Sequence, residues 1–171
     1  FKNVEDEYFV ILLEDLILMN KVNAHRLSLI EEQIRNGFAS KALIGGGVPL
    51  NRTTKHGDNL LIFDQDVDYR TTLHPAIFTK EYFLKYLSPG LNIWEYELNN
   101  NFLAKNDGHN IIANDYSFPE QPHLFSFLNL INKGNFTIDH NGKVLDDQPS
   151  SRFWPEDELK LVAKKAGISY E

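Results

Sequence analysis

Residues 9–19 read Phe-Val-Ile-Leu-Leu-Glu-Asp-Leu-Ile-Leu-Met, an apolar run interrupted by two acidic residues. Five apolar residues precede Glu14 and Asp15, and four more follow them. Because a continuous apolar run is typical of a strand that is covered on both faces, the stretch predicts a core strand of a parallel or mixed sheet. The chain is therefore expected to adopt an α/β fold, with a mixed sheet flanked by helices.

The acidic pair Glu14 and Asp15 stands where such a strand would end. Carboxylates are costly near a core, and they are tolerated best at the carboxyl edge of a sheet, where open α/β folds bind their ligands. There they can bind a divalent cation through oxygen, and the cation can bind phosphates. The alternative interpretation is a strand that simply ends in a polar turn.

Length and composition limit the classes of protein that fit. The 171 residues favour one domain over 1–171, with a core over 8–134 and a hairpin and C-terminal helix over 135–171. The net charge of −7 argues against binding to nucleic acid or to an anionic membrane. The absence of cysteine excludes disulfides and thiolate sites, and no apolar run is long enough to span a bilayer. The apolar run so near Phe1 suggests the later part of a longer protein.

Cap residues and turn signals predict the remaining elements. Helices are expected after Asn20 or Asn23, after Thr79 and after Asn92, each a good N-cap, and the last helix is expected to start at Pro155. Asn141-Gly142 between extended residues predicts a hairpin. Further predictions are strands at 42–44, 60–63, 69–74 and 111–113, the last at a sheet edge, a loop over 51–59 and a helix over about 120–132.

Two other motifs have simpler interpretations. Asp64, Asp66 and Asp68 alternate along the chain, but the Gly and distal Glu of a calcium-binding loop are missing. They indicate a solvated turn more than a metal site. The glycine run 45–47 lacks the Lys-Ser/Thr of a phosphate-binding loop, so it indicates a flexible turn.

A second acidic pair, Glu95 and Glu97, follows the N-cap Asn92. Glu95 stands where a carboxylate satisfies the first amides of a helix, and Glu97 has a weaker structural reason. Beside the aromatic rings of Trp94 and Tyr96 either acid can act as a general base, and a sugar ring stacks well on such aromatics. Upstream, His74 can donate to a phosphate or hydroxyl, or serve as a partly buried structural residue.

The order of these motifs resembles bacterial glycosyltransferases of the GT-A fold, and more narrowly the family-2-like enzymes of surface-polysaccharide gene clusters. The matching segments are 8–15 (Tyr-Phe-Val-Ile-Leu-Leu-Glu-Asp), 72–84 (Thr-Leu-His-Pro-Ala-Ile-Phe-Thr-Lys-Glu-Tyr-Phe-Leu), 87–90 (Leu-Ser-Pro-Gly) and 92–97 (Asn-Ile-Trp-Glu-Tyr-Glu). The likeness covers residues 8–134 and is best over 73–97. The order and spacing of the four segments support the resemblance, since no single motif is highly specific.

The resemblance implies roles for these residues. Asp15, with Glu14 beside it, would bind Mn²⁺ or Mg²⁺ bridging the diphosphate of the donor, and His74 would contact that diphosphate. Glu95 or Glu97 would be the base that deprotonates the acceptor. The chain departs from the usual Asp-x-Asp motif, because Leu13 stands two residues before Asp15. The half of the family's fold that binds the nucleotide base is not recognisable in these residues.

The implied activity is an inverting, hexosyltransferase-like transfer from a nucleotide sugar to a glycan or lipid-linked acceptor in polysaccharide biosynthesis. Trp94 and Tyr96 would position the acceptor. The implied location is the cytoplasm, peripheral to the inner face of the membrane. Two alternatives stay open: a non-catalytic carbohydrate-binding or assembly module on the same fold, and a glycoside hydrolase with two carboxylates across a cleft.

Overall fold

The computed structural model describes residues 3, 5–13, 16–19, 21–45, 50–57, 59–115, 124, 127–132, 135–139, 141–145 and 156–168. They form two compact units. The first unit comprises Phe1–Leu13 and Val22–Phe125, and the second comprises Glu14–Lys21 and Ser126–Glu171. The single domain expected over 1–171 stays a prediction.

The first unit is α/β, as the sequence predicted. Its six strands form one mixed sheet in the order β1-β6-β3-β7-β5-β4. Only β3 and β7 are parallel, and every other neighbouring pair is antiparallel. The elements are β1 Tyr8–Ile11, α1 Ala24–Arg35, β3 Lys41–Leu43, a 3₁₀ turn Leu50–Arg52, β4 Thr53–His56, β5 Leu60–Phe63, β6 Ala76–Thr79, α2 Lys80–Tyr86, α3 Ile93–Leu103 and β7 Ile111–Asn114.

An aromatic core covers one face of this sheet. Phe78 on β6 packs against Tyr82 and Phe83 of α2, and Tyr96 of α3 joins the same cluster. Since successive strand residues point to opposite faces, Ile77 lies on the other face, and α1 contacts β3 and β7 in the same sheet. Helix α2 therefore packs against β6 with α3 in the same core cluster, and α1 packs against β3 and β7.

The second unit is small and built from short elements. It contains β2 Leu16–Leu18, β8 Phe127–Asn129, β9 Ile131–Asn132, β10 Asn135–Phe136 and α4 Glu156–Lys165, with β2 antiparallel to β8 and β9 antiparallel to β10. Leu159, Val162 and Ala163 of α4 pack with Leu128 and Ile138. The bridge between Ile138 and Val144 confirms the hairpin predicted around Asn141-Gly142.

The opening stretch does not form the single buried strand that was predicted. Residues 9–19 contribute to two strands, β1 and β2, in different sheets. β1 lies at an edge of the six-stranded sheet, and Val10 is 51% exposed while Phe9 packs on Phe78. An edge strand needs burial on one face only, so an unbroken apolar run does not by itself place a strand in the middle of a sheet.

Other sequence predictions were wrong for identifiable reasons. The segment 69–74 forms turns, because Tyr69 has φ = +62° and breaks any extended run. The predicted helix over 120–132 is wrong at its described end, where β8 and β9 form instead. Polar residues within 51–59 form the edge strand β4, since an edge strand tolerates polar side chains. The strand at 111–113 is β7, which lies inside the sheet rather than at its edge.

Three helix starts were predicted correctly, and Pro155, the predicted start of the last helix, lies outside the described residues. Asn23, Thr79 and Asn92 each accept a hydrogen bond from the amide three residues later. The aspartate cluster is the predicted turn, in which Asp64 and Asp66 pair with Arg52. Local hydrogen-bonding chemistry decides both features, so neighbouring residues were enough to predict them.

Arg70 connects its own turn, which precedes β6, to the loop that follows α3. Its side chain is fully buried and donates to the carbonyls of Ala104, His109 and Asp64 at 2.7, 2.6 and 3.0 Å. It also pairs with Asp107 at 2.9 Å. A buried guanidinium of this kind is stable only when its donors are satisfied, so it holds the two segments together.

Acid should weaken this network through Asp107. Burial opposes ionisation, but hydrogen bonds from Tyr86 and the His109 amide, together with Arg70, lower the pKa of Asp107 below its ordinary value. A lowered folded-state pKa contributes stability above about pH 4, the ordinary value, and that contribution is lost as pH falls through the folded value. Melting temperatures taken from neutral pH downward should fall less steeply for Asp107→Asn than for the wild type. An equal pH dependence of both proteins would contradict this assignment.

Removing the cap of α3 should cost stability. Asn92 accepts from the Glu95 amide and Glu95 accepts from the Asn92 amide, both at 2.9 Å. Asn92→Ala should lower the free energy of unfolding by about 1 kcal/mol, measured by urea denaturation. Glu95→Gln is the matched control, because glutamine serves equally well in a capping box. Equal losses in the two variants would argue against capping as the function of this pair.

Candidate functional site

The candidate site is built where α3 meets the segment before β6. The amide of Leu73 and the hydroxyl of Thr72 both donate to Oε1 of Glu97, the latter at 2.9 Å. The Thr71 hydroxyl donates a hydrogen bond to the backbone carbonyl of Glu97 at 3.1 Å. Glu97 therefore holds residues 71–73 against the helix, and within the described part of the chain its Oε2 accepts no hydrogen bond.

The two predicted catalytic acids are in different situations. The Glu95 side chain is exposed, and its Oε2 accepts from Asn92 within the capping box. Glu97 is half-buried, and its contacts reach 24 and 25 residues back in the sequence. The local explanation that the sequence suggested for Glu95 is confirmed. The contacts of Glu97 are tertiary, and they single it out from its neighbour.

Lys41 holds the same segment from the sheet side. Its ammonium donates to the carbonyls of Arg70 and Thr72 at 2.9 and 2.6 Å and lies 4.7 Å from the centroid of the Phe78 ring. Burial lowers the pKa of Lys41 well below its usual value, Glu97 opposes that shift, and Arg70 adds to it. Thr72 thus connects a buried amine to the Glu97 carboxylate.

His74 follows directly on this segment. It is half-buried, and its backbone amide donates to the Thr72 hydroxyl at 3.3 Å. The carbonyl of the next residue, Pro75, accepts from the amides of Ile44 and Gly45 at 2.9 and 3.2 Å. These bonds fix the backbone next to His74 between the end of β3 and the start of β6. Its other neighbour, Leu73, donates its amide to Glu97.

The two aromatic residues predicted to contact an acceptor are placed differently. Trp94 is 68% exposed. Tyr96 is buried, stacks on Phe83 with ring centroids 5.2 Å apart, and has its pKa raised by burial. Tyr96 therefore packs in the core, and its predicted contact with an acceptor stays a prediction.

Glu14 and Asp15, the predicted contacts of the diphosphate and the cation, lie outside the described residues. Their roles, and the use of Mn²⁺ or Mg²⁺, stay predictions. Within the described part of the chain, no three carboxylate or imidazole groups converge in a way that would hold a metal ion. Over the same residues, no helix is both long and apolar enough to cross a bilayer.

Lys41 and Thr72 were not predicted from the sequence. Lys41 stands at the start of an apolar strand, and a lysine in such a position is a signal that its amine must find buried acceptors. Thr72 carries no comparable signal, because its importance depends on Lys41 and Glu97, which are 31 and 25 residues away in the sequence.

Comparison with known proteins gave no relatives. No protein family, curated protein or solved structure matches this chain. The class that the fold defines is an α/β protein with a six-stranded mixed sheet. Any finer statement about its activity is a proposal.

Proposed function

We propose that the chain carries catalytic residues of a glycosyltransferase of the GT-A type, which transfers a sugar from a nucleotide-diphosphate donor to a glycan or lipid-linked acceptor. One observation supports this best. Leu73 and Glu97, the first and last residues of the segment with the best resemblance, are in direct hydrogen-bond contact. An α/β fold with a mixed sheet is compatible with that type.

Glu97 is the base in this proposal. Two donors hold Oε1 in place, so the second oxygen is oriented without further cost when an acceptor hydroxyl arrives. Oε2 takes the hydroxyl proton while the acceptor oxygen attacks the anomeric carbon and the nucleoside diphosphate leaves, with inversion. Glu95 is less suited to this role, because it is engaged in the helix cap.

Thr72 and Lys41 are positioning residues in this mechanism. Thr72 donates to Glu97 and accepts from Lys41, so the orientation of the base is set by a buried amine on the sheet. His74, fixed one residue further on, is proposed to donate a hydrogen bond to the leaving diphosphate. Thr72 and Lys41 would orient the base before the displacement at the anomeric carbon, and His74 would act as the diphosphate leaves.

The proposal is tested by measuring release of nucleoside diphosphate from a panel of nucleotide sugars with Mn²⁺ or Mg²⁺. The complete natural polypeptide is used, with glycan and lipid-linked acceptors. Acceptor-dependent release supports the proposal. No release from any donor, together with cleavage of a glycan in the absence of nucleotide, would instead indicate a glycoside hydrolase.

A second candidate function is a non-catalytic carbohydrate-binding or assembly module on the same fold. Glu95 and Glu97 both make hydrogen bonds that stabilise the structure, and this favours the candidate. Isothermal titration with nucleoside diphosphates and Mn²⁺ separates the two functions. A module binds glycan and shows no heat with nucleotide, whereas a transferase binds both.

A further inference from the structure

Helix α3 exposes three large apolar side chains on one face. Trp94, Leu98 and Phe102, together called the α3 stripe, are 68%, 58% and 81% exposed. They recur every four residues, so they lie on successive turns of the same side. Single exposed apolar residues are ordinary, but a contiguous row of this size marks an interaction surface.

Tyr69 extends the surface beside the stripe. It is 58% exposed and has φ = +62°, a costly conformation for a bulky residue. Asn101 of α3 holds it there by accepting from the Tyr69 amide at 2.5 Å and donating to Asp68 at 3.0 Å. A strained residue held by polar contacts while its side chain stays exposed is a second indication of a binding surface.

We propose that the α3 stripe is the interface of a homodimer. The row is symmetric about Leu98, with an aromatic residue four positions away on each side. A twofold axis at Leu98 therefore brings Trp94 against the partner copy's Phe102 and one Leu98 against the other, with the two helices antiparallel. Ridges of residues spaced four apart pack into each other in the commonest helix-packing class.

The charges on α3 fit this arrangement. The charged side chains of α3 are Glu95 and Glu97, both in its first half. Antiparallel packing about Leu98 offsets the Glu95 carboxylates of the two copies by about 9 Å along the helix axes, whereas a parallel pair would set them side by side. The same carboxylates and the net charge of −7 disfavour nucleic acid and anionic lipid as partners.

The size of the surface also fits a dimer. The exposed parts of the α3 stripe and Tyr69 amount to roughly 500 Å² of apolar area per copy, taking about 150–250 Å² for each whole side chain. A standard interface covers about 800 Å² per partner, of which about 60% is apolar. That apolar share is about 480 Å², so the surface supplies about as much apolar area as a stable interface needs.

The dimer does not depend on the proposed enzymatic function. It would cover Trp94, which then serves the interface and does not stack on a sugar. Glu97 lies to the side of the stripe, on the part of α3 that faces residues 71–73. Loss of the dimer and loss of the base are therefore separable in experiments.

The chain contains no cysteine, which permits a direct test by cross-linking. Helix axes about 8–10 Å apart leave about 4–5 Å between the two Leu98 Cα atoms, within the range of a disulfide. Leu98→Cys should form a covalent dimer on mild oxidation. Leu103→Cys is the matched control, because Leu103 is 63% exposed on the same helix but lies off the stripe. Equal cross-linking of the two variants would overturn the proposal.

Sedimentation equilibrium at micromolar concentrations gives the independent measurement. The wild type should be a dimer, and the double variant Leu98→Ser, Phe102→Ser should be a monomer with the same circular dichroism spectrum. A monomeric wild type overturns the proposal. A monomer that floats with phosphatidylcholine vesicles would also overturn it, and would assign the stripe to a membrane surface.

Discussion

Replacing Arg70 with Met should lower the free energy of unfolding by about 3–5 kcal/mol, the usual cost of removing one member of a buried ion pair. The side chain of Asp107 is only 3% exposed, so its charge would be left without its cation. The carbonyls of Ala104 and His109 would also lose a charged donor. Urea denaturation followed by circular dichroism measures the loss.

Arg35→Met is the matched control for this variant. Arg35 pairs with Glu31 one turn away at 3.7 Å, and both side chains are exposed. Such a pair contributes only about 0.2–1 kcal/mol, so the control should unfold close to the wild type. Arg70→Lys should remain destabilised, since one ammonium cannot reach the acceptors of a planar guanidinium. If Arg70→Met unfolds like Arg35→Met, the network does not fix the segment before the candidate site.

If the proposed sugar transfer uses Glu97 as its base, replacing Glu97 with Gln should reduce the transfer rate by about 10²–10⁴-fold, the usual contribution of a general base. The glutamine carbonyl can still accept from Thr72 and Leu73, so the position of the helix is kept. The loss should appear in kcat, because the base acts in the transition state and not in binding the donor. Initial rates with saturating donor and varied acceptor measure it.

Glu95→Gln is the control for this second variant, because it changes the neighbouring acid and preserves the capping box. Its transfer rate should stay within a few-fold of the wild type. Reversed results would move the base to Glu95. Full activity in both variants would remove the catalytic assignment and leave Glu97 as a residue that only holds the segment 71–73.

Three helix starts and the α/β class were predictable because the signals are local. Asn23, Thr79 and Asn92 start helices through their own side chains, and the apolar runs at β3, β5 and β7 need no distant partner to be recognised. The opening stretch was harder, since the same apolar run suits an edge strand and a central one. Its position depends on pairing with β6, nearly 70 residues away.

The candidate site was predictable only in part. Glu95 and Glu97 look alike in the sequence, and both follow an N-cap beside aromatic residues. The partners of Glu97 come from a segment held by Lys41, and no spacing rule connects these three positions. Tyr96 and Trp94 are equally aromatic in the sequence, yet only the helix phase relative to the sheet decides which ring is buried.

From near-neighbour signals, the sequence predicted the α/β class, three helix starts and the candidate acids Glu95 and Glu97, but not Lys41 or Thr72. It does so because caps, turns and apolar runs are interactions between near neighbours. The tertiary structure alone decided which strand lies at an edge, which glutamate is held at the site and which face of α3 stays exposed. Those outcomes depend on hydrogen bonds and packing between residues far apart in the chain, whose free energy exists only once the sheet has formed.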